Sequence, residues 1–157
     1  MLLNYTQIKE LLNINSIKIE PFDEELQLQS SSIDLRTSDR FFKVPVEINP
    51  QIQVIDPKNP YLNILEKDYI SDNGIILEPK EFILIETLEF ISMPENIAFF
   101  IQPKYRLVKL GIQITNSGWI EYGFEGNLTL CLFNSSKYPV KIFKEMNIAH
   151  IFLIKNL

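Results

Sequence analysis

Short segments in which apolar and polar residues alternate dominate this chain and predict a mainly β protein. Alternation places successive side chains on opposite faces of a strand, and turn-forming residues separate one segment from the next. The segments predicted as strands are 17–20, 52–55, 75–77, 82–91, 97–101, 112–115, 127–133, 139–143 and 148–154. Many short strands separated by turns indicate a closed or sandwiched β domain.

A helical pattern replaces the alternation at the beginning of the chain. Tyr5, Ile8 and Leu12 recur at the spacing of one helical face within residues 4–13, and Asn4 is a suitable N-cap. We interpret this helix as a packing element rather than as part of a site.

A second, shorter helix is predicted over residues 103–110. Pro103 occupies its first turn and Gly111 ends it. The free amides of the first turn would lie beside Lys104 and Arg106, and together these groups would form a phosphate-binding site. The alternative is a surface connector with solvated basic side chains.

Length and composition limit the classes of function. The 157 residues, 46% of them hydrophobic, predict one domain over 1–157. The only cysteine, Cys131, and the only histidine, His150, cannot build a zinc site, which excludes zinc-dependent deamination. No apolar run reaches the roughly 20 residues of a membrane span, and the first residues do not form a signal peptide, so we expect a cytoplasmic protein.

Charge is distributed unevenly along the chain. Residues 1–102 hold eight Lys and Arg against 17 Asp and Glu, whereas residues 103–157 hold seven against three. The net charge of −5 argues against a nucleic-acid partner. The basic second part fits a small anionic ligand, although solvated lysines on surface strands would give the same pattern.

Four of the five glycines lie between residues 103 and 134. Glycine concentrates where the backbone needs positive φ or a close approach. We therefore expect the most constrained backbone, and the site, in this stretch.

Five segments in the same order resemble the dCTP deaminase/dUTPase superfamily, most closely its dCTP deaminase branch. The segments are IKELL, IEPFDEELQLQSSSIDLR, ILEPKEFILIETLEFISMPENI, GWIEYGFEGNLTLCLFN and PVKIFKEMNIAHIFL. The resemblance implies a distorted, jelly-roll-like β-barrel with an N-terminal helix and one short internal helix. It also implies a homotrimer with sites between subunits, each binding a pyrimidine deoxynucleoside triphosphate through Mg²⁺.

Several residues match positions that have a role in the family. Asp34 matches a residue that organises the metal–triphosphate end, and its alternative role is that of a structural turn or trimer-contact residue. Glu121 replaces the aspartate that orients the attacking water in dUTPases, and the alternative is a solvated turn carboxylate. The extra methylene could shift that water by roughly an ångström, and such misplacement can cost about 100-fold in rate. Phe124 takes the place of the aromatic residue that packs under the deoxyribose. The remaining predicted substrate-binding residues form a hairpin around base and sugar, or hold phosphate: Gly118, Gly123, Gly126, Lys104, Arg106 and Lys109.

Other family positions have changed. Lys104, Tyr105 and Arg106 stand where deaminases have Arg-Ser-Ser, and Lys109 replaces a further arginine without its planar fork. Cys131 replaces the glutamate general base of deaminases, and a neutral thiol is a poor substitute for a proton-shuttling carboxylate. Deamination by the family mechanism is therefore disfavoured.

The last family motif also departs from the pattern. Glu145 replaces a glycine and His150 replaces a glutamine, although His150 also suits a strand position among apolar neighbours. The sequence ends at Leu157 without a glycine-rich lid, so we expect another group to cover the triphosphate.

Three functions remain open on the sequence. The first is hydrolysis of dUTP to dUMP and pyrophosphate, with Glu121 orienting the water. The second is a catalytically inactive trimer that binds a nucleotide or a protein. The third is dCTP deamination by a non-standard site.

Overall fold

The computed structural model describes residues 1–47, 49–59, 64–115 and 118–156 and is mainly β, as the alternation predicts. Its helices are α1 (Tyr5–Asn13), α2 (Glu24–Gln27) and α3 (Tyr105–Val108). Its strands are β1 (Lys18–Glu20), β2 (Ile33–Lys43), β3 (Glu66–Tyr69), β4 (Ile75–Leu77), β5 (Phe82–Ser92), β6 (Ile97–Pro103), β7 (Ile112–Thr115), β8 (Trp119–Ile120), β9 (Glu125–Asn134), β10 (Val140–Ile142) and β11 (Asn147–Lys155).

Among the described residues, nine strands form one sheet that curls into a half-barrel. Its main path runs β7-β9-β5-β2-β11-β6-β8, with β1 added to β5 and β3 added to β2. All these pairs are antiparallel, and β10 pairs with β4 in a separate two-stranded sheet. The long strands β2, β5 and β11 change register at bulges, which bend and twist a sheet locally.

The inner face of the curled sheet carries the hydrophobic core. On β9, Leu128, Leu130 and Leu132 are buried while Thr129 is exposed, which is the two-sided pattern that the sequence predicts. Phe99 on β6 has no exposed surface. Burial of such side chains is the main favourable contribution to folding.

The predicted first helix is confirmed as α1. The Asn4 side chain accepts a hydrogen bond from the backbone N–H of Gln7, and the Gln7 side chain accepts one from the backbone N–H of Asn4. This reciprocal capping box satisfies two N–H groups at the helix end. No helix in the described parts of the chain is long and apolar enough to cross a membrane.

Three expectations about the first half of the chain are wrong or incomplete. Residues 52–55 form no strand, and Val54 is 80% exposed, because alternation without a pairing partner does not suffice. The strand β3 was not predicted because its residues are largely charged and show no apolar alternation. It is a strand because it pairs with β2 in the folded chain. The four-residue helix α2 was missed because one turn is too short to show helical periodicity.

Glu145 has a left-handed backbone (φ 57°) in the turn between β10 and β11. We expect Glu145→Gly to raise the free energy of unfolding by about 0.5–1 kcal/mol, because glycine removes a strain of about 1–2 kcal/mol but makes the unfolded chain more flexible. Urea unfolding measures the change. Glu145→Ala is the matched control, since it removes the carboxylate and keeps Cβ; an equal gain there would contradict the strain argument.

Candidate functional site

The segment from Gly118 to Gly126 connects β8 to β9 and is attached to the rest of the sheet by backbone hydrogen bonds. The N–H of Gly123 donates to Pro94 O (3.2 Å), and Phe124 O accepts from the N–H of Met93 (2.9 Å). Gly118 O accepts from the N–H of Ile101 (2.7 Å). The segment is therefore held at its beginning, middle and end.

The expected constraint on this backbone is confirmed. All the glycines of the stretch have positive φ, which side-chain-bearing residues rarely adopt. At Gly118 a Cβ atom would also come within 3.1 Å of the Phe100 ring.

The predicted hairpin is wrong. The strand β8 pairs with β6, whereas β9 pairs with β5 and β7. The Gly118–Gly126 segment is consequently a crossover between separate parts of the sheet, because each flanking strand finds a non-local partner.

Glu121 lies at the exposed surface of this crossover. Its neighbour Tyr122 is 39% exposed and meets Trp119 edge to face, with ring centroids 6.4 Å apart. Phe124 instead packs edge to face on the buried Phe99, at 5.7 Å. The crossover thus presents a carboxylate and two aromatic rings to solvent, while Phe124 is half-buried against the core.

The pair formed by Asp34 and Lys104 lies at the other end of β6. Lys104 Nζ donates to both carboxylate oxygens of Asp34 at 2.8 Å, and the Asp34 side chain is 4% exposed. The backbone N–H of Lys104 donates to Ile148 O, so this amide is not free for phosphate. The predicted phosphate-binding site at the start of the helix therefore lacks one of its expected donors.

The basic side chains after Lys104 are exposed. The predicted helix 103–110 is confirmed only as the single turn α3, and Arg106 projects from it. Tyr105 is 74% exposed, and Lys109 Nζ lies 5.8 Å from the centre of its ring. Within the described parts of the chain, neither Arg106 nor Lys109 forms an ion pair with a carboxylate.

The candidate residues do not converge within one chain. Ile120, next to Glu121, pairs with Phe99 on β6, whereas Lys104 follows the far end of that strand. Five residues of extended chain span about 16 Å. Glu121 and the basic cluster therefore lie at opposite ends of β6.

Cys131 is half-buried on the face of β9 that points away from the core. Its cross-strand partners are Leu84 on β5 and Thr115 on β7. Neither partner supplies the carboxylate that a deaminase would have at position 131.

His150 pairs directly across the sheet with Asp34, and its Nδ1 lies 4.0 Å from a carboxylate oxygen. Burial, and then the nearby charge of Lys104, lowers the pKa of His150 below its usual 6.5, and Asp34 opposes this shift. The imidazole is accordingly neutral near pH 7.

This lowered pKa predicts a pH-dependent stability. Below about pH 6.5 the unfolded chain binds the histidine proton more readily than the folded chain, so the free energy of unfolding falls as the pH is lowered. His150→Gln should remove this part of the dependence. Urea unfolding of both proteins at about pH 7.5 and about pH 5.5 provides the comparison; the same pH dependence in both would contradict the assignment.

A buried ionic network beside Asp34 was not anticipated from the sequence. The fully buried carboxylate of Glu89 accepts from Arg36 Nε (2.7 Å), from the backbone N–H of Arg36 (2.9 Å) and from Gln27 Nε2 (2.9 Å). Gln27 Nε2 also donates to Asp34 O. The sequence signal that could have indicated this network is Glu89 itself, an ionisable residue between Leu88 and Phe90 in an apolar strand.

The described residues offer no group of three or more acidic, histidine or cysteine side chains that could hold a metal. Both oxygens of Asp34 are bonded to Lys104, so Asp34 does not fit a direct Mg²⁺ ligand. Mg²⁺ commonly binds phosphate oxygens together with few protein ligands. A Mg²⁺ ion carried by a triphosphate, which the resemblance implies, would not need such a group of protein ligands.

Relatives with known names match almost the whole chain. A family model described as dCTP deaminase-like matches residues 2–156. A protein of Persephonella marina named dCTP deaminase, dUMP-forming, is 38% identical over 156 residues, which cover 99% of this chain and 84% of that protein. A protein of Nanoarchaeum equitans with the same name is 38% identical over 99% of this chain and 84% of its own length.

Solved structures confirm the fold. A dCTP deaminase from Agrobacterium tumefaciens superposes with a TM-score of 0.76 at 21% identity, over 99% of this chain and 48% of that chain. The dUTPase of Staphylococcus bacteriophage 80alpha gives 0.54 at 14% identity, over 90% of both chains. Fold, family model and curated relatives agree: this chain belongs to the dCTP deaminase-like family, within the dCTP deaminase/dUTPase superfamily.

Proposed function

We propose that this protein binds pyrimidine deoxynucleoside triphosphates in the cytoplasm and hydrolyses dUTP to dUMP and pyrophosphate. The observation that carries the proposal concerns two positions: an acid is retained at Glu121, whereas an acid is lost at Cys131. Glu121 is exposed on a crossover that three backbone hydrogen bonds hold in place, whereas Cys131 occupies the deaminase glutamate position. The relatives are named for forming dUMP from dCTP, and we propose that this chain keeps the dUMP-forming step without deamination.

The proposed chemistry is hydrolysis of the α,β-phosphoanhydride. The Glu121 carboxylate would accept a hydrogen bond, and then a proton, from the attacking water. The water oxygen would bond to the α-phosphorus while the bond from that phosphorus to the α,β-bridging oxygen breaks, so that dUMP forms and pyrophosphate leaves. Mg²⁺ bound to the triphosphate would neutralise its charge, with Arg106 and Lys109 supplying further positive charge from the protein.

The separation of the candidate residues supports a site shared between subunits. A water-orienting carboxylate and the cations that bind the same phosphates must lie within a few ångströms of one substrate. In one chain Glu121 and Lys104 lie at opposite ends of β6, about 16 Å apart along the strand. We therefore propose a homotrimer in which Glu121 of one subunit meets Arg106 and Lys109 of the next.

The second candidate function is a trimeric binding module without turnover. Its support is the state of the basic motif. The charge of Lys104 is neutralised by Asp34, and Tyr105, which replaces the family serine, is largely exposed. A site with these changes could bind a nucleotide, or a protein partner, without aligning the phosphates for attack.

Pyrophosphate release combined with calorimetry distinguishes these functions. The protein is incubated with Mg²⁺ and dUTP, dCTP, UTP or CTP, and both pyrophosphate and ammonia are measured. Hydrolysis predicts pyrophosphate from dUTP and weaker activity on UTP, because the pocket is expected to exclude a 2′-hydroxyl. Calorimetric binding of dUTP without any product would favour the binding module, and neither binding nor product would contradict both hydrolysis and nucleotide binding.

A further inference from the structure

The ion pair between Asp34 and Lys104 joins the buried part of β2 to the beginning of α3. Asp34 is almost completely buried, and a carboxylate in that position needs a partner. Lys104 Nζ bonds to both of its oxygens at equal distances of 2.8 Å. Two of the three ammonium protons are thereby used inside the protein.

The main chain of Lys104 is fixed as well. Its N–H donates to Ile148 O on β11, and Lys104 O accepts from the N–H of Leu107 in α3. Lys104 is thus held by β2 through its side chain and by β11 through its backbone.

Few contacts made by α3 itself determine its position, although the chain that follows is held at Gly111, whose carbonyl oxygen accepts from the N–H (2.9 Å) and the Oγ (2.8 Å) of Ser135. The helix has four residues and no side-chain hydrogen bond at its N-cap, and Leu107 is its only buried residue. A helix this short is not stable alone, so tertiary contacts must hold it. The Lys104 anchor holds the beginning of the helix and the Leu107 side chain its middle.

We infer that Asp34 is a positioning residue: it fixes α3 through Lys104, and the exposed Arg106 and Lys109 provide the charge that meets phosphate. The anchoring of α3 is independent of the proposed function. The role of Arg106 and Lys109 in binding phosphate rests on the proposed function. The rival assignment is direct contact between Lys104 and phosphate. The two assignments predict opposite effects of removing the Asp34 charge.

Amide hydrogen exchange without nucleotide tests the anchor by itself. In Asp34→Asn, Lys104→Met and the double variant, amides in residues 105–111 should exchange about tenfold faster, and by similar factors. Lys104→Arg should restore slow exchange, because arginine can also bond both carboxylate oxygens. Lys43→Met is the control, since it removes the more exposed Lys43–Asp68 pair on β2 and β3 and should leave these amides unchanged.

Calorimetry with dUTP and Mg²⁺ tests the consequence for the site. Asp34→Asn and Lys104→Met should weaken dUTP binding by the same factor, and the double variant should be no weaker, because the two residues act as one unit. The kcat of each variant that turns over should change less than its KM. If Asp34→Asn binds dUTP as tightly as the wild type or more tightly while Lys104→Met binds more weakly, Lys104 contacts phosphate and the inference is wrong.

The hydrogen-exchange experiment and the calorimetric experiment distinguish failure of the inference from failure of the proposed function. Unchanged exchange at residues 105–111 in Lys104→Met would overturn the anchor whatever binds to the protein. Absence of dUTP binding in the wild type would contradict the proposed function and leave the exchange result to decide the anchor. If Asp34→Asn does not fold, the comparison of Lys104→Met with Lys104→Arg decides it.

Discussion

Replacing Glu121 by glutamine is expected to lower kcat for dUTP hydrolysis at least about 100-fold while dUTP affinity changes little. The amide has nearly the same shape as the carboxylate but cannot accept the proton of the attacking water, and general-base catalysis contributes about 10²–10⁴-fold. Because Glu121 is exposed on the crossover and makes no ion pair within the described residues, its substitution should not disturb the fold. Steady-state pyrophosphate release and calorimetry provide kcat and Kd.

Glu125→Gln is the matched control for this experiment. Glu125 is also an exposed glutamate, four residues further along at the start of β9. Its replacement removes the same charge from the same region and should leave kcat within about twofold, because surface substitutions away from a site have small effects. Equal activity of Glu121→Gln and wild type would show that Glu121 does not orient the water.

The largest effect on stability is expected for Glu89→Ala, at about 3–5 kcal/mol of unfolding free energy. The fully buried carboxylate accepts hydrogen bonds from the Arg36 guanidinium, the Arg36 backbone and the Gln27 amide. Its removal takes the acceptor from Arg36 Nε and from the Arg36 backbone N–H, and leaves Gln27 Nε2 with Asp34 O alone, at the junction of α2, β2 and β5. Urea unfolding of variant and wild type measures the difference.

The pair formed by Glu86 and Arg40 offers a control on the same two strands. Its side chains are 22% and 41% exposed, so Glu86→Ala should cost no more than about 1 kcal/mol. If the two substitutions cost the same, the burial of Glu89 would not be the reason for its effect.

Three strands near the site, β5, β6 and β9, were predictable because each carries its own pattern, whereas β8 is not among the predicted segments. β5 and β9 alternate clearly and β6 is a short apolar run, and the structure lengthens these predicted segments by one to three residues each. β3 and the residues 52–55 show that local alternation and strand formation can differ. The first is a strand only because β2 pairs with it, and the second alternates without a partner.

The site was only partly predictable. The glycine positions and the loss of a carboxylate at Cys131 follow from the local sequence. The Asp34–Lys104 pair joins residues 70 positions apart, and the strand order that separates Glu121 from Lys104 depends on non-local pairing. No local pattern encodes those distances. The predicted hairpin and the predicted phosphate-binding site could therefore be corrected only from the three-dimensional structure.

The fate of dCTP tests the central claim most directly. The protein is incubated with Mg²⁺ and an equimolar mixture of dCTP and dUTP, and nucleotides and ammonia are followed by chromatography and an enzymatic ammonia assay. Retention of the dUMP-forming step without deamination predicts that dUTP is converted to dUMP while dCTP remains and no ammonia appears. Conversion of dCTP to dUMP with release of one ammonia per molecule would contradict the account.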